Sequence, residues 1–347
     1  MKYKFLLIIL FNSFFSCQKS DFSYLLPPEN IINQYTKPYS PNNINLSGWD
    51  KLESILKSGY SKNSNQDYTK DIQSFFATHR NILLPDYPIY ISIGLKISSN
   101  TNVFFQKNSK IIYTGEVKGR HYDIVKIENA ENVTLYNPYV VGNREAKLKH
   151  TGEWNAGISI QDAKKVTIYN PIIKNTWGDG IFIGSETAGL SEDVMINGGW
   201  IDKVRRNGIT ITSGKNVTVE NMLISNTVGT LPQIGLHIEP SLYEEVLDGI
   251  NIKNVYTYNN ASAGLGINLY AFSDKAKPTK NINISIDGFV SNLSNYSMSF
   301  SIGDLNNSKK YNGNILIKNS TLTKPGVGYI WKNKDNVEVS YMNMKYK

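Results

Sequence analysis

The chain has 347 residues, of which 40% are hydrophobic, enough for a sizeable core and too much for a disordered polymer. It holds a single cysteine, which excludes an internal disulfide and an all-cysteine metal site. Its formal net charge of +8 suits an acidic polymer as partner, but no recognition motif and no helix with a Lys/Arg cluster accompanies that charge, so nucleic acid is not expected.

Met1-Lys2-Tyr3-Lys4 is a short basic start, and residues 5–15 form an apolar stretch interrupted by Asn12 and Ser13. The stretch is too short to span a bilayer as a mature helix. Small Ser16 and then Cys17 close it. This arrangement resembles a bacterial lipoprotein signal, although Phe14 stands where Leu is usual. The resemblance implies a signal over residues 1–17, lipidation of Cys17, and export to the bacterial cell envelope. The protein would be anchored at the outer membrane, facing the periplasm or the surface, and would touch membrane only through that anchor. Ordinary secretion is the alternative. Loss of Lys2 and Lys4 would leave a net charge of +6 (8 − 2).

Residues 18–45, with Pro27, Pro28, Pro38 and Pro41, read as a tether. Leu52, Ile55 and Leu56 give residues 49–57 helical spacing, and residues 67–76 predict a second short helix. Asn81-Ile82-Leu83-Leu84-Pro85 then reads as a strand. Residues 89–97 alternate as a strand should, and Ser98-Ser99-Asn100-Thr101-Asn102 turns into another. The run from Asp67 through this turn resembles the N-terminal part of pectate-lyase-like and polygalacturonase-like β-helix proteins. There a small helix caps the first coil, covering apolar stack ends and unpaired strand edges.

From about residue 103 to 342, short strands recur. Five copies share one pattern, any residue, Gly, aliphatic, any residue, aliphatic. They begin at Ala156, Asp179, Asn207, Ile234 and Leu265, at steps of 23, 28, 27 and 31 residues. A period of this size built from short strands is a solenoid signature. The strands are too short for βα units, and two-residue hairpin turns are scarce, so parallel coils stacked about 4.8 Å apart fit best. Asn143, Asn175, Asn226, Asn259 and Asn292 each close an aliphatic segment. They are expected to stack as a ladder of turn amides, with Lys203 at the same place in the intervening coil. The fold expected is all-β: a single-domain, right-handed parallel β-helix over residues 46–347, including a short N-terminal helical cap.

In Gly-Ile-x-Ile the aliphatics point inward and the residues between them outward. The first outward column reads Lys126, Ser159, Phe182, Thr210, His237, Asn268, and the second Glu128, Gln161, Gly184, Thr212, Glu239, Tyr270. The residues that precede each strand include Tyr122-Asp123, Glu153-Trp154-Asn155, Trp177-Gly178-Asp179, Arg205-Arg206-Asn207 and Gln233. On one strip these would offer a sugar polymer what it needs. Trp154 and Trp177 are flat platforms. Arg205, Asn155, Asn207, Lys126 and Gln233 are polar contacts. Asp179, Glu239 and Glu153 are acid/base candidates, with Arg206 as charge clamp and His237 as auxiliary.

The segments Gly152-Glu153-Trp154, Trp177-Gly178-Asp179-Gly180, Arg205-Arg206-Asn207-Gly208 and His237-Ile238-Glu239-Pro240 resemble the groove of bacterial β-helix proteins grouped with polysaccharide-degrading enzymes. The chain departs from the polygalacturonase pattern. N-T-D appears only as Asn175-Thr176-Trp177, the paired Asp of G-D-D is Asp179 followed by Gly180, and no G-H-G or R-I-K is present. Two chemistries stay open for an acidic, uronic acid-containing glycan. Hydrolysis needs two carboxylates, about 5–5.5 Å apart for retention or 6.5–9.5 Å for inversion. Elimination needs a cation on the uronate, from Arg205 or Arg206, and a base such as His237 or Lys126. A non-catalytic glycan-binding or adhesion surface is the reading from another class. No cofactor and no metal are assigned, since no carboxylate cluster at ligand spacing is visible, and calcium stays open.

Overall fold

The structure, a computed structural model, describes residues 22–56, 66–116, 122–145, 152–274, 276–302, 311–332 and 337–347. The expected signal and Cys17 lie outside these residues. Among the described residues the strands form three parallel sheets of eleven, ten and nine strands. The chain visits the first sheet, the second and then the third in turn, and each strand pairs with its counterpart one coil away, as in Lys164–Tyr169 against Ser191–Asn197. This is the expected single-stranded parallel solenoid.

The coil is filled by stacked aliphatics. On the third sheet Ile158, Ile181, Ile209, Leu236 and Leu265 pair in register and all are fully buried. The recurring glycine before them has a packing cause. A Cβ on Gly180 would stand 2.5 Å from both Gly208 O and Ile201 Cγ2, so the chain enters the third sheet too close to its neighbours for any side chain. The alternation of inward aliphatic and outward polar residues fixes which face carries chemistry.

The cap forms as expected. Helix α2 (Thr69–Thr78) buries Ile72, Phe75 and Phe76 in the main core, and Asp67 Oδ1 accepts from Thr69 N at its start. Gln73 replaces a missing strand, donating to Lys96 O at 3.0 Å and accepting from Lys96 N at 2.8 Å. Residues 49–56, the described part of the expected first helix, do not form it. Asp50–Lys51 is a strand paired with Asn81–Leu83, followed by a 3₁₀ turn over Leu52–Ile55 that buries Leu52. The free edge of the first coil takes a strand partner in preference to a short isolated helix. The described part of the expected tether is packed. Helix α1 (Glu29–Tyr35) sets Tyr35 beside Trp200 and Leu223, and Tyr39 lies between Tyr136 and Tyr169.

Two corrections concern register. The fifth Gly repeat is Ala263-Gly264-Leu265-Gly266-Ile267, because Leu236 pairs with Leu265 and His237 with Gly266. Gly264 and Gly266 both satisfy the pattern, and the sequence offers the wrong frame equally well. Gly266 therefore replaces Asn268 in the first outward column, and Tyr270 leaves the sheet in a 3₁₀ turn. In the amide ladder, Asn175, Lys203, Asn226 and Asn259 share one turn with φ of 52–57°. Asn259 Nδ2 donates to Asn226 Oδ1 at 2.7 Å. Asn143 and Asn292 each fall one position off, since Val141 pairs with Lys174 and Tyr258 with Asn292. A further ladder joins the first sheet to the second through Asn197, Asn221 and Asn254, at 3.0 and 2.8 Å. Asn tolerates the left-handed turn better than other non-glycine residues, and its amide bridges neighbouring coils.

Candidate functional site

The third sheet carries the candidate residues on its outer face. Asp179 and Asn207 enter adjacent strands side by side, and Asn207 N donates to Asp179 Oδ1 at 3.0 Å. Arg206, one residue earlier, sends its guanidinium back across this junction. Nη1 lies 3.1 Å from Asp179 Oδ2, Nη2 lies 2.6 Å from Glu239 Oε1, and Nε lies 3.1 Å from Glu153 Oε2. His237 Nδ1 stands 3.1 Å from Glu239 Oε2. The Nε and Nδ1 contacts are ion-pair distances without hydrogen-bond alignment, since neither nitrogen has a hydrogen-bond partner. Thr210 Oγ1 ties the cluster together, accepting from Asn207 Nδ2 at 3.0 Å and Arg206 Nη1 at 3.4 Å. All five expected catalytic residues thus meet, although the sequence scatters them over 153–239.

The electrostatics divide the carboxylates. Burial pushes the Asp179 carboxyl up, and the Arg206 charge offsets this only in part. Burial acts in the same direction on Glu239, but Arg206 and then His237 overcome it and pull Glu239 down to about 2. Burial opposes the Arg206 charge, yet Asp179, Glu239 and Glu153 outweigh it and hold the guanidinium charged. With every carboxylate ionised the four groups sum to −2 (one cation, three anions). Protonation of Asp179 brings this to −1. Glu153 is the open member, at 54% side-chain exposure against 4% for Asp179.

The binding candidates separate. Trp154 is 41% exposed beside the cluster. Trp177 packs partly on the core, and the Arg205 guanidinium covers its ring at 3.9 Å while Arg205 Nη1 donates to Gly152 O. Asn155, Asn207 and Gln233 are buried in the coil turns. Asn155 donates to Tyr122 O, Asn207 accepts from Ile234 N, and Gln233 accepts from Gly229 N. Lys126 stands four coils from His237 in the same column, about 19 Å away at one coil rise each. It is not part of the cluster.

Sequence reasoning did not select Asp123, which occupies the place of Asp179 two coils earlier, through Val125–Ile158–Ile181 pairing. Its Oδ1 accepts from Ala156 N at 2.7 Å, and burial pushes its carboxyl up to about 6. Shared register with Asp179 is the signal that finds it. Among the described residues no group of three or more His, Cys, Asp or Glu is placed to hold a metal ion. The three carboxylates around Arg206 are turned to the guanidinium.

Residues 90–239 match the family described as the right handed beta helix region. An uncharacterized protein of Bacillus subtilis, YclG, is 29% identical over 164 residues, 42% of this chain and 28% of that protein. The surface adhesin PfbA of Streptococcus pneumoniae superposes with a TM-score of 0.65 at 12% identity, over 86% of this chain and 77% of that one. Bacteriophage phi29 gene product 12 gives 0.66 at 16% identity, over 85% and 45%. A galactohydrolase named for galactose 4-sulfate and 3,6-anhydrogalactose 2-sulfate gives 0.53 at 12% identity, over 83% and 75%. At these identities the structures share the fold alone. Coil register, the match over residues 90–239 and the solved structures agree on the fold, a right-handed parallel β-helix.

Proposed function

We propose that the protein cleaves glycosidic bonds of a polysaccharide by carboxylate acid/base hydrolysis, held at the cell envelope through lipidated Cys17. The observation that carries the reading is that two carboxyls from separate coils, Asp179 and Glu239, meet one guanidinium at 3.1 and 2.6 Å on the outer face, with burial pushing Asp179 up and Arg206 pulling Glu239 down. Such a split assigns an acid and a base. Asp179 gives its proton to the leaving glycosidic oxygen as the C–O bond breaks. Glu239 takes a proton from the water whose oxygen bonds to the anomeric carbon. Arg206 holds both carboxyls in place, His237 orients Glu239, and Trp154 supports a neighbouring sugar ring.

The elimination route fits less well. Arg206 is matched to three carboxylates and Arg205 is packed on Trp177, so neither stands ready to neutralise a uronate. One observation favours a second reading, a non-catalytic glycan-binding surface: Asp179 keeps only 4% side-chain exposure beneath Arg206. Incubation with a panel of neutral and uronic glycans separates the readings. New reducing ends without an unsaturated product support hydrolysis. Unsaturated ends support elimination, and binding without either supports the surface reading.

A further inference from the structure

The first described residues lie against the middle of the solenoid and not at its end. Ser23 O accepts from Asn259 Nδ2 at 2.9 Å, and Leu25 exchanges two hydrogen bonds with the Asn226 amide, at 3.1 and 3.0 Å. From there the chain runs back along the second sheet. Tyr35 O accepts from Gly199 N, Tyr39 exchanges two hydrogen bonds with the Asn137 amide, and Asp50–Lys51 joins the first coil. Asparagine amides thus act as stand-in strand partners and fix where the strap begins.

At that place three consecutive hydrophobic residues face outward, Tyr24, Leu25 and Leu26, the last at 74% exposure. Lys203 flanks them, 5.2 Å from the Tyr24 ring, while Arg144, 5.4 Å from that ring, is turned inward at 10% side-chain exposure, donating to Lys203 O and Val204 O and paired with Glu145. An apolar strip with an amphipathic ring and Lys203 at its rim matches the headgroup boundary of a bilayer. The leucines meet acyl chains, the Tyr sits at headgroup level and Lys203 meets lipid phosphate. Cys17 is seven residues before Tyr24 (24 − 17), a span of about 25 Å at full extension.

We infer that the flank formed by Tyr24, Leu25 and Leu26 with Lys203 rests on an anionic lipid surface, so that the solenoid lies side-on to the membrane. This rests on the proposed lipidation of Cys17. The third sheet, on another side of the coil, stays open to a polymer.

The test uses the full chain, made with its own leader in a bacterium and reconstituted into phosphatidylcholine–phosphatidylglycerol vesicles carrying nitroxide lipid. A fluorophore is placed at Leu26→Cys or, as reference, at Met342→Cys on a distant coil. Mass spectrometry reads the state of Cys17 separately. Quenching at position 26 at least about twofold above position 342 is expected. Equal quenching of the two labels on an acylated chain overturns the inference. A chain found unacylated contradicts the anchoring and is scored by sedimentation with phosphatidylglycerol vesicles. There a fivefold or greater loss of binding in Leu26→Asp/Lys203→Glu supports the surface, and unchanged binding overturns it. Shielding of the position-26 label by an acidic glycan but not by vesicles also overturns it.

Discussion

Arg206 Nη2 sits 2.6 Å from Glu239 Oε1, across two neighbouring strands of the third sheet, while the same guanidinium holds Asp179 at 3.1 Å. One cation therefore sets the charge state of two carboxyls that the sequence separates by 60 residues (239 − 179). The behaviour of the site under mutation and pH follows from that sharing.

Arg206→Met should destabilise the fold by about 3–5 kcal/mol, because it leaves two mostly buried carboxyls without their partner. Arg206→Lys should recover only part of this, since a point charge cannot serve three carboxylates in one plane. Thermal or denaturant unfolding of the two variants checks the order. Equal stability of Arg206→Met and the parent would show that the cluster holds nothing together.

Glu239 titrates near 2 in the folded chain against 4.5 for the free group. A lowered carboxyl contributes stability that is complete above about pH 4.5 and lost as pH falls through about 2, about 3 kcal/mol for a shift of this size. Asp123 acts with the opposite sign. Its folded value of about 6 lies above the ordinary 3.8, so its contribution is complete below about pH 3.8 and lost as pH rises through about 6, again about 3 kcal/mol. Asp123→Asn should reduce the second limb, to which Asp179, also raised by burial, still contributes, and leave the first. Unfolding free energy measured from pH 2 to pH 8 reads both.

Trp154→Ala should weaken glycan binding about tenfold, near 1.4 kcal/mol, with little change in melting temperature, because the ring is 41% exposed. Trp177→Ala should instead lower stability, because that ring packs on the core under Arg205. Calorimetric titration paired with thermal unfolding distinguishes a platform from a packing residue.

Asn226→Ala removes both hydrogen bonds to Leu25 and the amide links to Asp202 and Asn259. The strap should then open, with a loss of about 1–3 kcal/mol and faster proteolysis between residues 22 and 35. Asn292→Ala, outside the ladder register and bonded to the Tyr256 hydroxyl, should leave the strap protected. Limited proteolysis followed by mass mapping compares the two.

The coil was legible in the sequence because a buried Ile every second position and a glycine at each close approach repeat with the period of the solenoid. The outer face was legible for the same reason, and register alone brought Glu153, Asp179, Arg206, His237 and Glu239 to one place. Side-chain use was not legible. Nothing in the order of residues shows that Arg206 bonds to its own carboxylates, or that Arg205 covers Trp177, because both depend on rotamers chosen by packing. The second glycine at Gly266 hid the frame of the fifth repeat. The proline-rich lead-in resembled a tether because its partners, the amides of Asn137 and Asn226, are distant in the chain and carry no local signature.

The most direct measurement is glycan turnover by the parent protein and by Asp179→Asn and Glu239→Gln, each checked for native folding. The account predicts reducing ends from the parent and a fall of about 10²–10⁴-fold in each variant. Undiminished turnover in a folded Asp179→Asn, or product carrying an unsaturated sugar, would contradict it.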